Sequence, residues 1–251
     1  TQNTDFSLLD INGAPFDESM LLSYFGRVNY NYEGKYLLNA TFRADGSSRF
    51  AKNNRWGYFP SISAGWVMSN ESFMSNTQNW LDFLKLRASW GQVGNQSIDA
   101  WQYLAPIQTS NVNYYFKSED FDASGNTPGA YPSRLANENL KWETSEQLNL
   151  GFDARFIKGK FGLNFDLYKK TTKDWLLEAP ILATAGADAP YINGGNVENK
   201  GVEVNLNWND NFGGFKYFVN ANVSYNKNKV TEVPTSDGIV HGLTNMLYDN
   251  W

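Results

Sequence analysis

The sequence predicts an all-β chain: an antiparallel transmembrane β-barrel wall of about eight strands. Three observations predict it. Apolar and polar residues alternate with period two over segments longer than soluble strands, the connections between segments are short and long in turn, and aromatic residues gather near segment ends.

The first alternation sets Tyr24, Gly26, Val28, Tyr30 and Tyr32 against Arg27, Asn29, Asn31 and Glu33. After the tight Glu33–Lys35 turn, Tyr36, Leu38, Ala40, Phe42 and Ala44 oppose Asn39, Thr41, Arg43 and Asp45, which completes a hairpin. A third strand runs from Trp56 to Met68, and a fourth from Phe83 to Gly94 sets Leu84, Leu86, Ala88 and Trp90 against Lys85, Arg87 and Ser89. The fifth ends on Leu148, Leu150, Phe152, Ala154 and Phe156. The sixth, beyond the Lys158–Lys160 turn, carries Phe161, Leu163, Phe165 and Leu167. Val202 to Trp208 and Tyr217 to Tyr225 supply the last two. Each segment reaches the roughly 9 to 11 residues that a tilted strand needs to cross a bilayer, against about 5 to 6 for an ordinary strand.

Connections at 33–35, 158–160 and 210–214 are short, while 46–55, 95–140 and 175–196 are long, so 95–140 is expected as a long extracellular loop. The connection 69–82 is of middle length and fits this scheme least well. The polar face is expected to line a watery lumen through Arg27, Asn29, Arg43, Asp45, Lys85, Arg87, Glu143, Asp153 and Arg155. Tyr24, Tyr32, Tyr36, Trp56, Trp66, Trp90, Trp142, Trp208 and Tyr225 lie near strand ends, where amphipathic rings suit the headgroup layer of outer-membrane lipid. In the long loops Trp101, Tyr103, Tyr114, Tyr115, Tyr131, Trp175 and Tyr191 are candidates to stack on sugar rings or apolar peptide side chains; the alternative is that they pack the loops together.

Composition narrows the chemistry. Mean hydropathy is −0.51, which suits strands that show lipid only every second residue. The absence of cysteine removes disulfides, thiolate catalysis and Cys-based metal sites. A net charge of −5 without a basic block argues against nucleic acid. The single histidine, His241, lies in a loop without a nucleophile motif, so no catalytic residue, metal site or cofactor is expected; an outer-membrane phospholipase is the enzymatic alternative. Glu119–Asn126 resembles a calcium loop, but Tyr131 stands where the bidentate acid belongs, and a polar turn is the simpler assignment. Asp45-Gly46-Ser47-Ser48-Arg49-Phe50 is assigned a turn and loop role. On pattern alone, a soluble β-sandwich with the aromatics in its core stays open, as do a closed small barrel and part of a larger one.

Leu22–Met74, with FRADGSSRF and GYFPSISAGWVMSNESFM inside it, resembles the barrel of SusC/RagA-type TonB-dependent transporters of the Bacteroidota. LKLRASWGQVGNQ from Leu84, NLKWETSEQLNLGFD from Asn139, DLYKKTTKDWLL from Asp166 and NGGNVENKGVEVNLNW from Asn193 follow in family order. The resemblance implies a barrel of 22 strands with an N-terminal plug and TonB box, of which residues 1–251 would be an internal part. It also implies active import of a glycan oligomer or oligopeptide, with TonB and a SusD-like surface lipoprotein as partners. A passive porin or structural barrel is the second possibility, and a soluble carbohydrate-binding sandwich the third.

Overall fold

The structure, a computed structural model, describes residues 19–109, 113–115, 126–181 and 183–235. Eight long strands form one antiparallel sheet in which each pairs with its neighbours in sequence: β1 (Leu21–Tyr32), β2 (Tyr36–Ser47), β3 (Trp56–Val67), β4 (Leu81–Asn95), β5 (Glu143–Phe156), β6 (Phe161–Lys173), β7 (Asn196–Phe212) and β8 (Phe215–Glu232). Three two-stranded ladders lie in the long connections, pairing Ile107–Gln108 with Tyr131–Pro132, Asn113–Tyr115 with Asn126–Pro128, and Leu176–Glu178 with Tyr191–Asn193. The last two long strands, at 17 and 18 residues, run well past the limits that the alternation suggests. Beyond the apolar stretch, toward the loops, Glu198, Lys200, Lys227 and Lys229 replace the apolar residues of the alternation, so pairing continues where the period-two signal stops.

Residues directly opposite in an antiparallel pair share a face, and the register joins eight separate alternations into two surfaces. One row of the apolar face reads Tyr36, Trp66, Leu86, Phe152, Phe165, Val204 and Val223 across β2 to β8. A row of the opposite face reads Arg27, Thr41, Ser61, Gly91, Gln147, Lys170, Asn199 and Asn228. Among the described residues no second sheet covers the apolar face, and Val28, Leu38, Ile62, Leu150, Leu167 and Val223 on it are exposed. Eight strands at about 4.8 Å spacing, with an apolar band about 25 Å tall, present on the order of 1,000 Å² of apolar surface. A soluble monomer tolerates patches of roughly 300 to 600 Å². A sandwich would bury this surface against a partner sheet; here lipid is the solvent that suits it.

The hairpin turns are staggered. The row that begins at the β1–β2 turn, Tyr32 with Tyr36, crosses β6 four residues above Phe161 and β7 eight residues above Phe212. If the turns share one height, eight residues of stagger over six strand steps correspond to a tilt of about 40°, inside the roughly 35 to 45° of membrane barrels. A parallel row shows the tilt in its chemistry: Val28, Ala40, Ile62, Trp90, Leu148, Lys169, Lys200 and Lys227 run from aliphatic through aromatic to basic as the row climbs from β1 to β8.

Tight turns follow local chemistry. Gly213 (φ 57°) and Gly214 (φ 87°) adopt the left-handed backbone that a two-residue hairpin turn demands. The β3–β4 connection, unusually long for this end of the sheet, folds into two short 3-10 turns, Met68–Asn70 and Ser72–Thr77, and packs back on the first hairpin. Glu71 Oε1 accepts from the Tyr36 hydroxyl at 2.7 Å and the Trp66 indole at 3.1 Å, and Lys35 Nζ lies 3.5 Å from its other oxygen. The Tyr36 hydroxyl, the indole and then the Lys35 charge hold the Glu71 carboxyl below the usual glutamate range, and Glu71 raises Lys35 in return. Because the folded value is the lower one, the Glu71 contribution is complete above about pH 4.3 and fades as pH falls through the folded value. Glu71→Gln is therefore expected to flatten the acid limb of a thermal-stability profile below about pH 4.3 while leaving the strands paired; an unchanged acid limb would count against the clamp.

Candidate functional site

The polar face carries an ion network at its centre. Arg87 on β4 places Nε 2.9 Å from Asp153 of β5 and donates from Nη2 to Asp166 of β6 at 3.0 Å. It reaches across the intervening strand because residue 151 is glycine: a Cβ there would sit 2.5 Å from Asp166 Oδ1 and 2.7 Å from the Phe165 carbonyl. Asp153 also accepts from Asn164 at 2.7 Å, and Lys85 stands opposite Asp153 in the ladder. One guanidinium between two partly exposed carboxylates ties three strands in register. Elsewhere on this face Arg27 donates to Thr41, Asn39 donates to Asn29, and Arg43 pairs with the buried Asp45. Arg155 lies over the Phe83 ring at 5.4 Å.

At the loop end the connections close over a hydrophobic core of their own. Phe50, Phe59, Ile98, Leu140 and Trp142 are buried together, and Tyr103, Leu176 and Tyr191 pack against them. Phe50 and Phe59 ring centroids lie 5.3 and 5.5 Å from that of Trp142. Polar bonds stitch the same loops: Arg49 donates to the carbonyls of Gln96 and Ile98, Trp142 to that of Arg55, and Asn137 to that of Tyr191. Asn193 donates to the Lys141 and Asp174 carbonyls and accepts from the Lys141 amide. Glu143, buried on the polar face, accepts from Asn95 and from the Leu176 amide. The loop segments 48–55, 96–106, 133–142, 174–181 and 183–195 thus form one packed platform, and the Asp45–Phe50 motif serves it structurally, with Asp45, Ser47 and Phe50 all buried.

All nine charged or polar residues assigned from sequence to the polar face lie on it by register, although loops cover Glu143. Among the strand-end aromatics, Tyr32, Tyr36, Trp66 and Trp208 sit on the apolar face toward the turns. Tyr24, Trp56, Trp90 and Tyr225 sit on it toward the loops, Tyr24 stacking on Trp56. Trp142 is a correction: it precedes β5 and is buried in the loop core rather than placed at a lipid boundary, because its indole N–H satisfies the Arg55 carbonyl 87 residues away. Of the loop aromatics, Trp101, Tyr131 and Trp175 are exposed, whereas Tyr103 and Tyr191 turn inward on the core. Burial raises the Tyr191 hydroxyl above the usual tyrosine range, with Glu178 adding to the effect. Tyr114 and Tyr115 fall in the short ladder with Asn126–Pro128, and the placement of their side chains lies outside the described residues, as do residues 119–125 and His241. Phe50 closes the motif assigned a loop role, whereas Phe59, Ile98 and Leu140 carry the platform with one signal in the sequence: Phe59 is an aromatic at a polar-face position between Gly57 and Ser61.

Residues 4–245 match the family described as TonB dependent receptor-like, beta-barrel. TonB-dependent receptor P3 of Formosa agariphila is 38% identical over 224 residues, covering 89% of this chain and 22% of that protein. TonB-dependent receptor SusC of Bacteroides thetaiotaomicron is 37% identical over 220 residues, 86% of this chain and 21% of SusC. Among solved structures, the RagAB peptide importer in its open-open state superposes with a TM-score of 0.75 at 27% identity, covering 87% of this chain and 23% of that one. The chain spans about a fifth of the length of the curated relatives it matches. With a transmembrane sheet and a family match over nearly its whole length, the chain belongs to the TonB-dependent receptors and forms outer-membrane β-barrel wall.

Proposed function

We propose that this wall belongs to an active importer that carries a glycan oligomer or an oligopeptide across the outer membrane under TonB control, with a SusD-like surface lipoprotein as its lid. The observation that carries it is the family match over residues 4–245 on a sheet with one lipid-compatible face and one charged face. The long loops are extracellular, and the polar face lines the lumen, where Arg87, Asp153 and Asp166 meet the plug or the passing solute. β1 and β8, unpaired at the sheet edges among the described residues, pair with further strands, since open edges in lipid cost several kcal/mol for each unsatisfied group. Trp101, Tyr131 and Trp175, the exposed loop aromatics, are the proposed contacts to solute or lid.

Uptake of labelled oligosaccharide and oligopeptide pools by cells expressing the full-length protein tests this, with and without collapse of the inner-membrane proton gradient. Active import stops when the gradient collapses; uptake that persists identifies a passive porin. Co-purification of a surface lipoprotein with the full-length protein tests the lid, and its absence from gently solubilised membranes would remove that partner.

A further inference from the structure

Lys169, Lys200 and Lys227 stand directly opposite one another on β6, β7 and β8, on the same face as Leu167, Val202 and Tyr225 and one step above them. Lys229 follows on the same face of β8. Like charges directly opposite in a ladder repel, and a single carboxylate offsets them: Glu198 receives Lys169 at 2.9 Å and Lys200 at 2.7 Å. Lys227 and Lys229 make no ion pair among the described residues and are exposed. Beside them on the same face Glu146 pairs with Lys173 at 2.7 Å, so the four lysines and Glu198 keep a surplus of positive charge at the upper edge of the apolar wall.

Depth decides what meets it. At a tilt of about 40°, Lys169, Lys200 and Lys227, eight to twelve residues above the turns, stand about 20 to 30 Å from the turn-side boundary, at the upper edge of an apolar band about 25 Å tall, and Lys229, two residues further on, stands just beyond it. We infer that Lys169, Lys200, Lys227 and Lys229 form a binding surface for the phosphate groups of an anionic outer-leaflet lipid, with Glu198 holding two of the lysines in place. The lysine stems extend along apolar wall while their heads meet the phosphates, and the lipid supplies the anions that the sheet lacks. The outward, outer-leaflet orientation rests on the proposed function, in which the long loops are extracellular.

Native mass spectrometry of the full-length protein, purified in phosphatidylcholine with added lipid A, reads the site directly. The wild-type protein is expected to retain lipid A bearing its phosphates and to lose about tenfold in retention with dephosphorylated lipid A or in the variant Lys169→Gln/Lys200→Gln/Lys227→Gln. The corresponding triple arginine variant is expected to keep the lipid. Equal retention of the phosphorylated and dephosphorylated forms by the wild-type protein overturns the site, and that arm decides even if the glutamine variant fails to assemble. Energised uptake measured on the same proteins separates the two proposals: uptake without phosphate-dependent retention removes the lipid site alone, and retention without uptake removes import alone.

Discussion

Trp142→Ala is expected to release the loop platform while leaving the strands paired. The indole fills the space between Phe50 and Phe59 and satisfies the Arg55 carbonyl at 2.8 Å. Truncating a buried tryptophan costs about 3 to 5 kcal/mol, and the orphaned carbonyl adds on the order of 1 kcal/mol. These loop segments share this core, so its loss opens them together. Limited proteolysis of the full-length protein in outer-membrane vesicles should show new cleavage within residues 48–55 and 96–106, with heat-modifiable migration of the barrel retained. Trp142→Phe keeps most of the volume and loses the N–H, so a smaller effect of about 1 to 2 kcal/mol is expected. Unchanged protease resistance in Trp142→Ala would show that the loops are held by something other than this core.

Phe165→Arg is expected to be costly, and Asn164→Arg, one residue away, nearly silent. Phe165 stacks on Phe152 at 5.5 Å and lies on the apolar face four residues above the β5–β6 turn, about 10 Å into the band at the tilt derived above. A charge near the bilayer midplane costs a barrel about 2 to 4 kcal/mol, and the lost ring pair adds about 0.5 to 1.5 kcal/mol. Asn164 faces the opposite way, beside Asp153, where an arginine finds water and a carboxylate. Denaturant midpoints of the two full-length variants in lipid vesicles should differ by this amount. Equal midpoints would mean that the two faces meet the same solvent.

The strands were legible in the sequence because their periodicity is local: Phe161, Leu163, Phe165 and Leu167 declare a face within seven residues. The far ends of β7 and β8 were not, because Glu198, Lys200, Lys227 and Lys229 are polar where the apolar alternation was the signal, and ladder pairing alone extends the strands there. The tilt needed register, which only the paired structure supplies. The loop core was hidden for a different reason. Phe50 comes from one connection and Ile98 and Trp142 from opposite ends of another, and a contact between residues about 90 positions apart leaves no local pattern. Trp142 was misplaced by the same limit, since continuing the β5 alternation one residue early puts it on the lipid face. On the polar face, Arg87 and Asp166 were separately visible, but the bridge between them depends on Gly151, whose missing side chain reads as nothing in a periodicity count.

One face of this sheet meets lipid and the other water. These 251 residues contain no cysteine, and single cysteines at residues 161–170 of the full-length protein, with any cysteine elsewhere in it replaced by serine, scan along β6. Spin labels at these positions, read for collision with oxygen and with a water-soluble nickel chelate, should alternate: positions 161, 163, 165 and 167 oxygen-accessible, positions 162, 164, 166 and 168 nickel-accessible or shielded. The label at 169 should mark the crossing into water. Uniform nickel access at the odd positions, or recovery of the protein as a soluble monomer without detergent, would contradict a membrane-spanning wall.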